Sequence, residues 1–251
     1  QEKISLPELW RFHAYYLISV RVGAIIAAAG DGRRFSKHGE TPRKQFVFLG
    51  GEPLFLHSLR CFLASPLIDR IVLAVPADAV ESSTELVKLE FGSGEVEVIA
   101  GGAERQESVY SAFKAIRESV EVVVVHDAAR PFLWSSWIAK TVEAVKEYDG
   151  AIVALHATDT LKSSRNGMID ATIDRSLIWQ AQTPQTFKVE ILDQAFEKAE
   201  RDGITSTDEA QLVENAGGKV AIVEGSPFNL KVTTKRDLAL AETILSMDAN
   251  D

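Results

Sequence analysis

The sequence predicts an α/β fold with a mainly parallel sheet. Two observations carry that expectation. Short apolar, β-branched runs alternate with amphipathic helical patterns along most of the 251 residues. The runs themselves, such as 122–125, are apolar at every position rather than at every second one, which marks strands buried on both faces. A third observation adds a feature: residues 156–183 break the rhythm.

The elements follow in order. VGAIIA at 22–27 predicts the first strand, which runs into the small-residue loop Ala28-Ala29-Gly30-Asp31-Gly32. An amphipathic helix is expected at 53–64, then a strand at 70–75 and a helix at 78–90. A strand at 96–99 precedes the glycine pair Gly101-Gly102 and a helix at 106–118. EVVVVH at 121–126 predicts a deeply buried strand, followed by a helix at 135–148 and a strand at 150–154. The last three elements are a helix at 188–202, a strand at 219–223 and a helix at 234–246.

Within 156–183, Arg165-Asn166-Gly167 carries a hairpin signal, with extended pieces around 169–173 and 178–181. The expectation is a β-arm that projects from the domain. An isolated hairpin is marginal in water, so it needs a surface to pack on, and a second subunit is the natural one. Residues 21–247 then form a single domain. Residues 1–20 read as an extension outside it. Arg21 interrupts the apolar run that starts at Ala14, so no membrane span is expected there.

Composition narrows the function classes. With 46% hydrophobic and 25% charged residues, the chain is ordinary globular protein. Its formal charge of −9 argues against broad nucleic-acid binding. A single cysteine, Cys61, excludes a disulfide framework and a Cys-rich zinc site, and agrees with a reducing compartment. The five histidines are scattered, without metal-ligand spacing.

In parallel sheets ligands gather at the carboxyl ends of the strands. The loops after Ala29, Ile99 and His126 should therefore converge. The first loop is followed by Arg33, Arg34 and Lys44. Small residues let backbone N–H groups approach phosphate oxygens, and the cations offset their charge. A dinucleotide fingerprint fails here, because Phe35 stands where a third glycine belongs. The bland reading is a turn with two solvated arginines. The second loop, GGAERQES, looks by spacing alone like a loop with capping residues. The third, His126-Asp127-Ala128-Ala129-Arg130, suits a Mg²⁺–phosphate site, with Asp127 as ligand and Arg130 as a phosphate clamp. Its bland reading is a helix cap and a surface pair. His126 reads as a structural strand-end residue rather than a base. Asp174-Arg175 and Asn229-Leu230-Lys231, taken alone, are surface charge.

Taken together, AAAGDGRR, KQF, GGAERQESV, VHDAARPF, TPQTF, TDEA and NLKVTT resemble the 2-C-methyl-D-erythritol 4-phosphate cytidylyltransferases, in order from about residue 21 to about 245. The resemblance implies a three-layer Rossmann-like nucleotidyltransferase fold and a homodimer interlocked through the β-arm. It implies transfer of CMP from CTP to methylerythritol phosphate, a sugar-alcohol phosphate, with release of pyrophosphate and help from Mg²⁺ or another hard divalent cation. By the same resemblance Ala28, Ala29, Gly30 and Gly32 wrap the triphosphate, and Arg34 and Lys44 stabilise charge at the α-phosphate. Gly102, Arg105, Ser108 and Ala128 line the nucleotide, and Asp127 holds the metal. Arg130, Thr160, Arg175, Thr183 and Lys231 surround the acceptor, with Thr160 and Arg175 supplied by the partner subunit. Arg175 and Lys231 count with Arg34 and Lys44 as catalytic. Arg43 precedes Lys44 where many relatives have proline.

No nucleophile–base constellation is present, and none is required, because the acceptor phosphate is already ionised near neutrality. Two other readings compete. A ribitol-5-phosphate cytidylyltransferase shares the CTP loop and differs on the acceptor side. A non-catalytic nucleotide-binding regulator would not need Arg34, Lys44, Asp127 and Lys231 together. The expected location is the cytoplasm, or the plastid stroma for a plant-type source.

Overall fold

Strands that are apolar on both faces must lie inside a sheet covered on both sides. In the computed structural model, which describes residues 20–30 and 47–248, they do. The first half of the sheet is four parallel strands: β1 (Val22–Ala27), β4 (Arg70–Val75), β5 (Glu97–Ala100) and β6 (Val122–Asp127). Strand β1 lies between β6 and β4, and β5 forms the edge. The second half is β7 (Gly150–His156), β10 (Trp179–Lys188) and β11 (Val220–Glu224). The full order is β11-β7-β10-β6-β1-β4-β5. A short hairpin, β2 (Phe48–Leu49) with β3 (Glu52–Pro53), stands outside this sheet.

Alternate side chains enter two separate cores, which makes the architecture three-layered. Ala24, Ile26, Leu73, Val122 and Val124 face helices α1 (Leu54–Leu63), α2 (Val80–Phe91) and α4 (Ser135–Ala144), meeting Phe55, Leu59, Phe62, Val87 and Trp137. Ile25, Val72, Val123 and Val125 face α3 (Arg105–Ile116), α5 (Val189–Asp202) and α6 (Glu209–Asn215), meeting Phe113, Ile116, Phe196 and Leu212. Each fully buried phenylalanine or leucine contributes about 1.5–3 kcal/mol by leaving water. A third, smaller cluster packs Ala241 and Ile244 of α7 (Lys235–Asp248) onto Leu49, Leu54, Phe132 and Val232. It fastens residues 229–233 beside the end of β6.

Three features depart from the expectations. Residues 179–183 belong to the central sheet rather than to the arm. They begin β10, which runs antiparallel between β6 and β7. Its composition, WQAQTPQTFK, disguises it, since proline cannot donate to a ladder. The sheet accommodates Pro184 at an irregularity between Ala181 and Gln185. The second feature is α6, seven residues long and capped by the Asp208 carboxylate, which accepts from the Gln211 N–H. It is too short to show a period in sequence. Helix α4 also stops at Ala144, four residues before its expected end at 148.

The arm itself is a two-stranded ribbon of β8 (Leu161–Arg165) and β9 (Met168–Ile173). Asn166 and Gly167 both take positive φ, 52° and 79°, as the tight turn of a twisted hairpin requires. Residues 1–19, 31–46 and 249–251 lie outside the described residues. They include most of the expected extension, and also Gly32, Arg33, Arg34, Arg43 and Lys44.

Candidate active site

Parallel strands that end at one edge deliver their loops together. Ala28 follows β1 and donates to the Ala74 carbonyl of β4 at 2.8 Å, and Gly101 donates to the Val75 carbonyl at 2.7 Å. Ala128 follows β6 and donates back to the Ala27 carbonyl at 3.1 Å. A side chain at position 101 would meet the Ala29 Cβ at 2.4 Å, so glycine lets the β5 loop close on the β1 loop. The three loops do meet. Ala28, Ala29 and Ala128 are buried at this junction, and Gly30 opens to solvent.

The β5 loop is tied to α3 by Ser108. Its buried hydroxyl donates to the Glu104 carbonyl at 3.0 Å and accepts from the Gly102 N–H at 3.1 Å. Glu104 and Glu107 cap the helix reciprocally. Ser108 therefore shapes the glycine loop that follows β5.

At the end of β6 stands Asp127, 6% exposed. Lys231 Nζ lies 2.5 Å from its Oδ2, and Arg105 Nε lies 2.8 Å from its Oδ1. Arg130 Nε is 4.0 Å from Oδ2. Burial pushes the Asp127 carboxyl upward, but Arg105, Lys231 and Arg130 outweigh it and hold the group well below the ordinary carboxylate range. Burial lowers the Arg130 guanidinium, with Asp127 opposing.

Side chains behind the carboxylate lock it in place. His126 is fully buried; burial pushes its imidazole down to about 4, so it is neutral at pH 7. Its Nδ1 sits 2.9 Å from the Thr183 hydroxyl, and its Nε2 3.1 Å from the Arg130 carbonyl. The Thr183 hydroxyl also accepts from the Asp127 N–H at 3.1 Å. Arg130 Nη1 donates to the Asn229 carbonyl at 2.6 Å, and the Asn229 side-chain amide donates to the Thr183 carbonyl at 2.8 Å. Thus β6, the irregular part of β10 and residues 229–231 form one polar network.

Of the residues singled out in the sequence, Asp127, Arg105, Arg130 and Lys231 come into one cluster, with Thr183 directly behind it. Thr183 faces inward, toward His126 and the strand end. Thr160 and Arg175 lie exposed at the base of the arm, where Arg175 Nη1 donates to the Thr158 carbonyl. Their described contacts do not reach the Asp127 cluster. Gly32, Arg34 and Lys44 lie outside the described residues.

One cluster member received no role from sequence. Glu209, the first residue of α6, is 1% exposed and accepts from Arg105 Nη1 on both oxygens, at 2.8 and 2.9 Å. Burial raises its carboxyl, against the pull of Arg105. Gln185 of β10 seats this helix: its Oε1 accepts from the Ala210 N–H at 3.2 Å, and its Nε2 donates to Asp208 at 2.9 Å. Glu209 belongs to TDEA, and a buried acid beside an Asp cap was the one signal available.

Among the described residues no group of three His, Cys, Asp or Glu could hold a metal ion by itself. Asp127 nevertheless fits a Mg²⁺ site of the kind completed by substrate. It is a hard oxygen donor held ionised, and Mg²⁺ takes one or two carboxylates plus phosphate oxygens and waters. No helix of the described residues is long and apolar enough to cross a membrane.

A parallel sheet that gathers a small-residue loop, one ionised aspartate and three cations at its carboxyl edge handles nucleotide phosphates. Fold and site define a nucleotidyltransferase. The model of the IspD family, 2-C-methyl-D-erythritol 4-phosphate cytidylyltransferase, matches residues 22–247, and the chain belongs to that family. It is 44% identical over 230 residues to the enzyme of that name from Acidobacterium capsulatum, covering 88% of this chain and 96% of the relative. The Bacillus licheniformis enzyme is 41% identical over 224 residues, covering 89% and 95%. The crystal structure of 4-diphosphocytidyl-2C-methyl-D-erythritol synthase from Anaerococcus prevotii superposes with a TM-score of 0.81 at 27% identity, covering 92% of this chain and 99% of that one. The Thermus thermophilus cytidylyltransferase superposes with a TM-score of 0.74 at 31% identity, covering 90% and 99%.

Proposed function

We propose that the chain transfers CMP from CTP to 2-C-methyl-D-erythritol 4-phosphate and releases pyrophosphate. The carrying observation is the Asp127–Lys231–Arg105–Arg130 cluster at the junction of the β1, β5 and β6 loops. It supports a reaction between two anions, whose mutual repulsion is the main obstacle to approach.

In this reading an acceptor phosphate oxygen attacks the α-phosphorus of CTP. A new P–O bond forms, and the bond from the α-phosphorus to the bridging oxygen of the β-phosphate breaks. Pyrophosphate leaves with the electron pair of that bond. No protein group needs to remove a proton. The backbone at 28–30 lies along the triphosphate, with Gly32, Arg34 and Lys44 assigned there by family resemblance. The Gly102 loop, shaped by Ser108, faces the nucleoside. Asp127 would hold a divalent cation, which neutralises phosphate charge and orients the oxygens when bound. Lys231 exchanges its Asp127 contact for the acceptor phosphate, and Arg130 supports the same charge. Thr160 and Arg175 reach that phosphate from the arm of a second subunit in a homodimer, and the location is the cytoplasm.

Pyrophosphate release tests the reading, with CTP and Mg²⁺ and three acceptor conditions: methylerythritol phosphate, ribitol 5-phosphate and none. Release that depends on methylerythritol phosphate supports it. Preference for ribitol phosphate overturns the acceptor assignment, and no release with either overturns the activity.

A further inference from the structure

Arginine presents its donors as forks, and it usually meets a carboxylate with two parallel N–H···O bonds. Arg105 does not meet Asp127 in that way. Its Nε donates to Asp127 Oδ1 at 2.8 Å, but Nη2, the other tooth of that fork, is buried with no hydrogen-bond partner among the described residues. Its Nη1 instead serves both oxygens of Glu209, at 2.8 and 2.9 Å. Two acids thus share one guanidinium, and the acid that receives the fuller share is the one deeper in the protein.

A buried carboxylate is costly to desolvate, so a purely packing role would be served better by an apolar side chain. Charge gives a reason for its presence. Asp127 and Glu209 face Arg105, Arg130 and Lys231, one net positive charge. With Glu209 neutral, Asp127 would be the one carboxylate left to these three cations, and the open tooth of Arg105 would close on it. A carboxylate gripped from both sides has fewer lone pairs free for a metal and less room for one to approach.

We infer that Glu209 is a positioning residue that draws Arg105 away from Asp127 and keeps the Asp127 carboxylate open to a divalent cation. The inference rests on the proposed reading of Asp127 as the metal ligand. Glu209 touches no substrate; it acts through Arg105.

The test is the metal's contribution to nucleotide binding. CTP affinity is measured by calorimetry without acceptor, once with EDTA and once with saturating Mn²⁺, and the ratio of the two affinities is compared. A merely structural defect weakens both affinities alike and leaves the ratio unchanged. Glu209→Gln, close in shape and uncharged, should lower the ratio by about 10-fold, the scale of residues that orient metal ligands. Adding Arg105→Gln to it should restore the ratio to within about threefold of the unaltered protein, because the competing cation is gone. Glu209→Asp keeps the charge and should stay close to the unaltered ratio. An unchanged ratio in Glu209→Gln overturns the inference, as does a double variant that stays as low as the single one. A Glu209→Asp ratio as low as that of Glu209→Gln also overturns it. A ratio of one in the unaltered protein sinks the Asp127 reading itself, a failure distinct from the other three.

Discussion

The Asp127 cluster and the β-arm are opposite kinds of surface. The cluster is polar and largely buried, and most of its donors and acceptors are paired within the protein. The arm and the turn that follows it are exposed and apolar at key positions, with Met168 74%, Ile169 69% and Leu177 78% exposed. The arm has apolar area left uncovered among the described residues, and a two-stranded ribbon is marginal alone. One region is preorganised for chemistry, and the other leaves apolar surface exposed.

The largest expected effect falls on the cluster. Asp127→Asn removes the charge that three cations surround, and kcat should drop by about 10³-fold while the chain still folds. Steady-state kinetics beside a thermal melt measures both. A loss of less than tenfold would mean that the cluster is structural and would erase half of the contrast.

The support behind Asp127 should show itself through pH. His126 is held near 4 when folded, against 6.5 for an exposed histidine. Above pH 6.5 both states are neutral and His126 contributes no pH dependence. As pH falls from 6.5 toward 4, the unfolded chain takes up a proton that the folded chain refuses. Stability then falls, by roughly 3 kcal/mol in all, and levels off below about 4. Asp127 faces this ring from its own strand, with Arg130 and Lys231 beyond it. Asp127 is depressed instead, so its contribution is lost only as pH drops below its unfolded value of 3.8. Urea titrations from pH 7 to 4 should show the slope in the unaltered chain and not in His126→Gln. Equal slopes in both would place the cause elsewhere.

The smallest effect on the fold should come from the arm. Ile169→Asp is expected to weaken self-association by at least tenfold and to change the thermal stability of the separated chain by less than about 0.5 kcal/mol. Sedimentation velocity over a concentration series reads the first quantity, and a melt at low concentration reads the second. A sedimentation profile that does not respond to the substitution would overturn the proposed homodimer through the arm.

Much of this was readable in advance, for reasons that differ by region. Strands β1, β4 and β6 declare themselves because continuous apolar runs have few other uses. The turn at Asn166-Gly167 declares itself because both positions need positive φ. Strand β10 did not, because its glutamines, threonines and proline have the composition of a loop. Its place in the sheet is set by the strands on either side. Glu209 was equally hidden: one acid in a seven-residue helix has no period, and its burial depends on Gln185 of another strand.

Local pattern thus settled the layers and most of the strands. Those are properties of neighbours along the chain, written in periods of two and of 3.6. The partnerships inside the site are of another kind. Lys231 meets Asp127, and Glu209 meets Arg105, each across 104 residues of chain. Charge alone allows many such pairings. Which ones form was decided by the order of strands at the sheet's edge, and by the third core that presses residues 229–233 against β6.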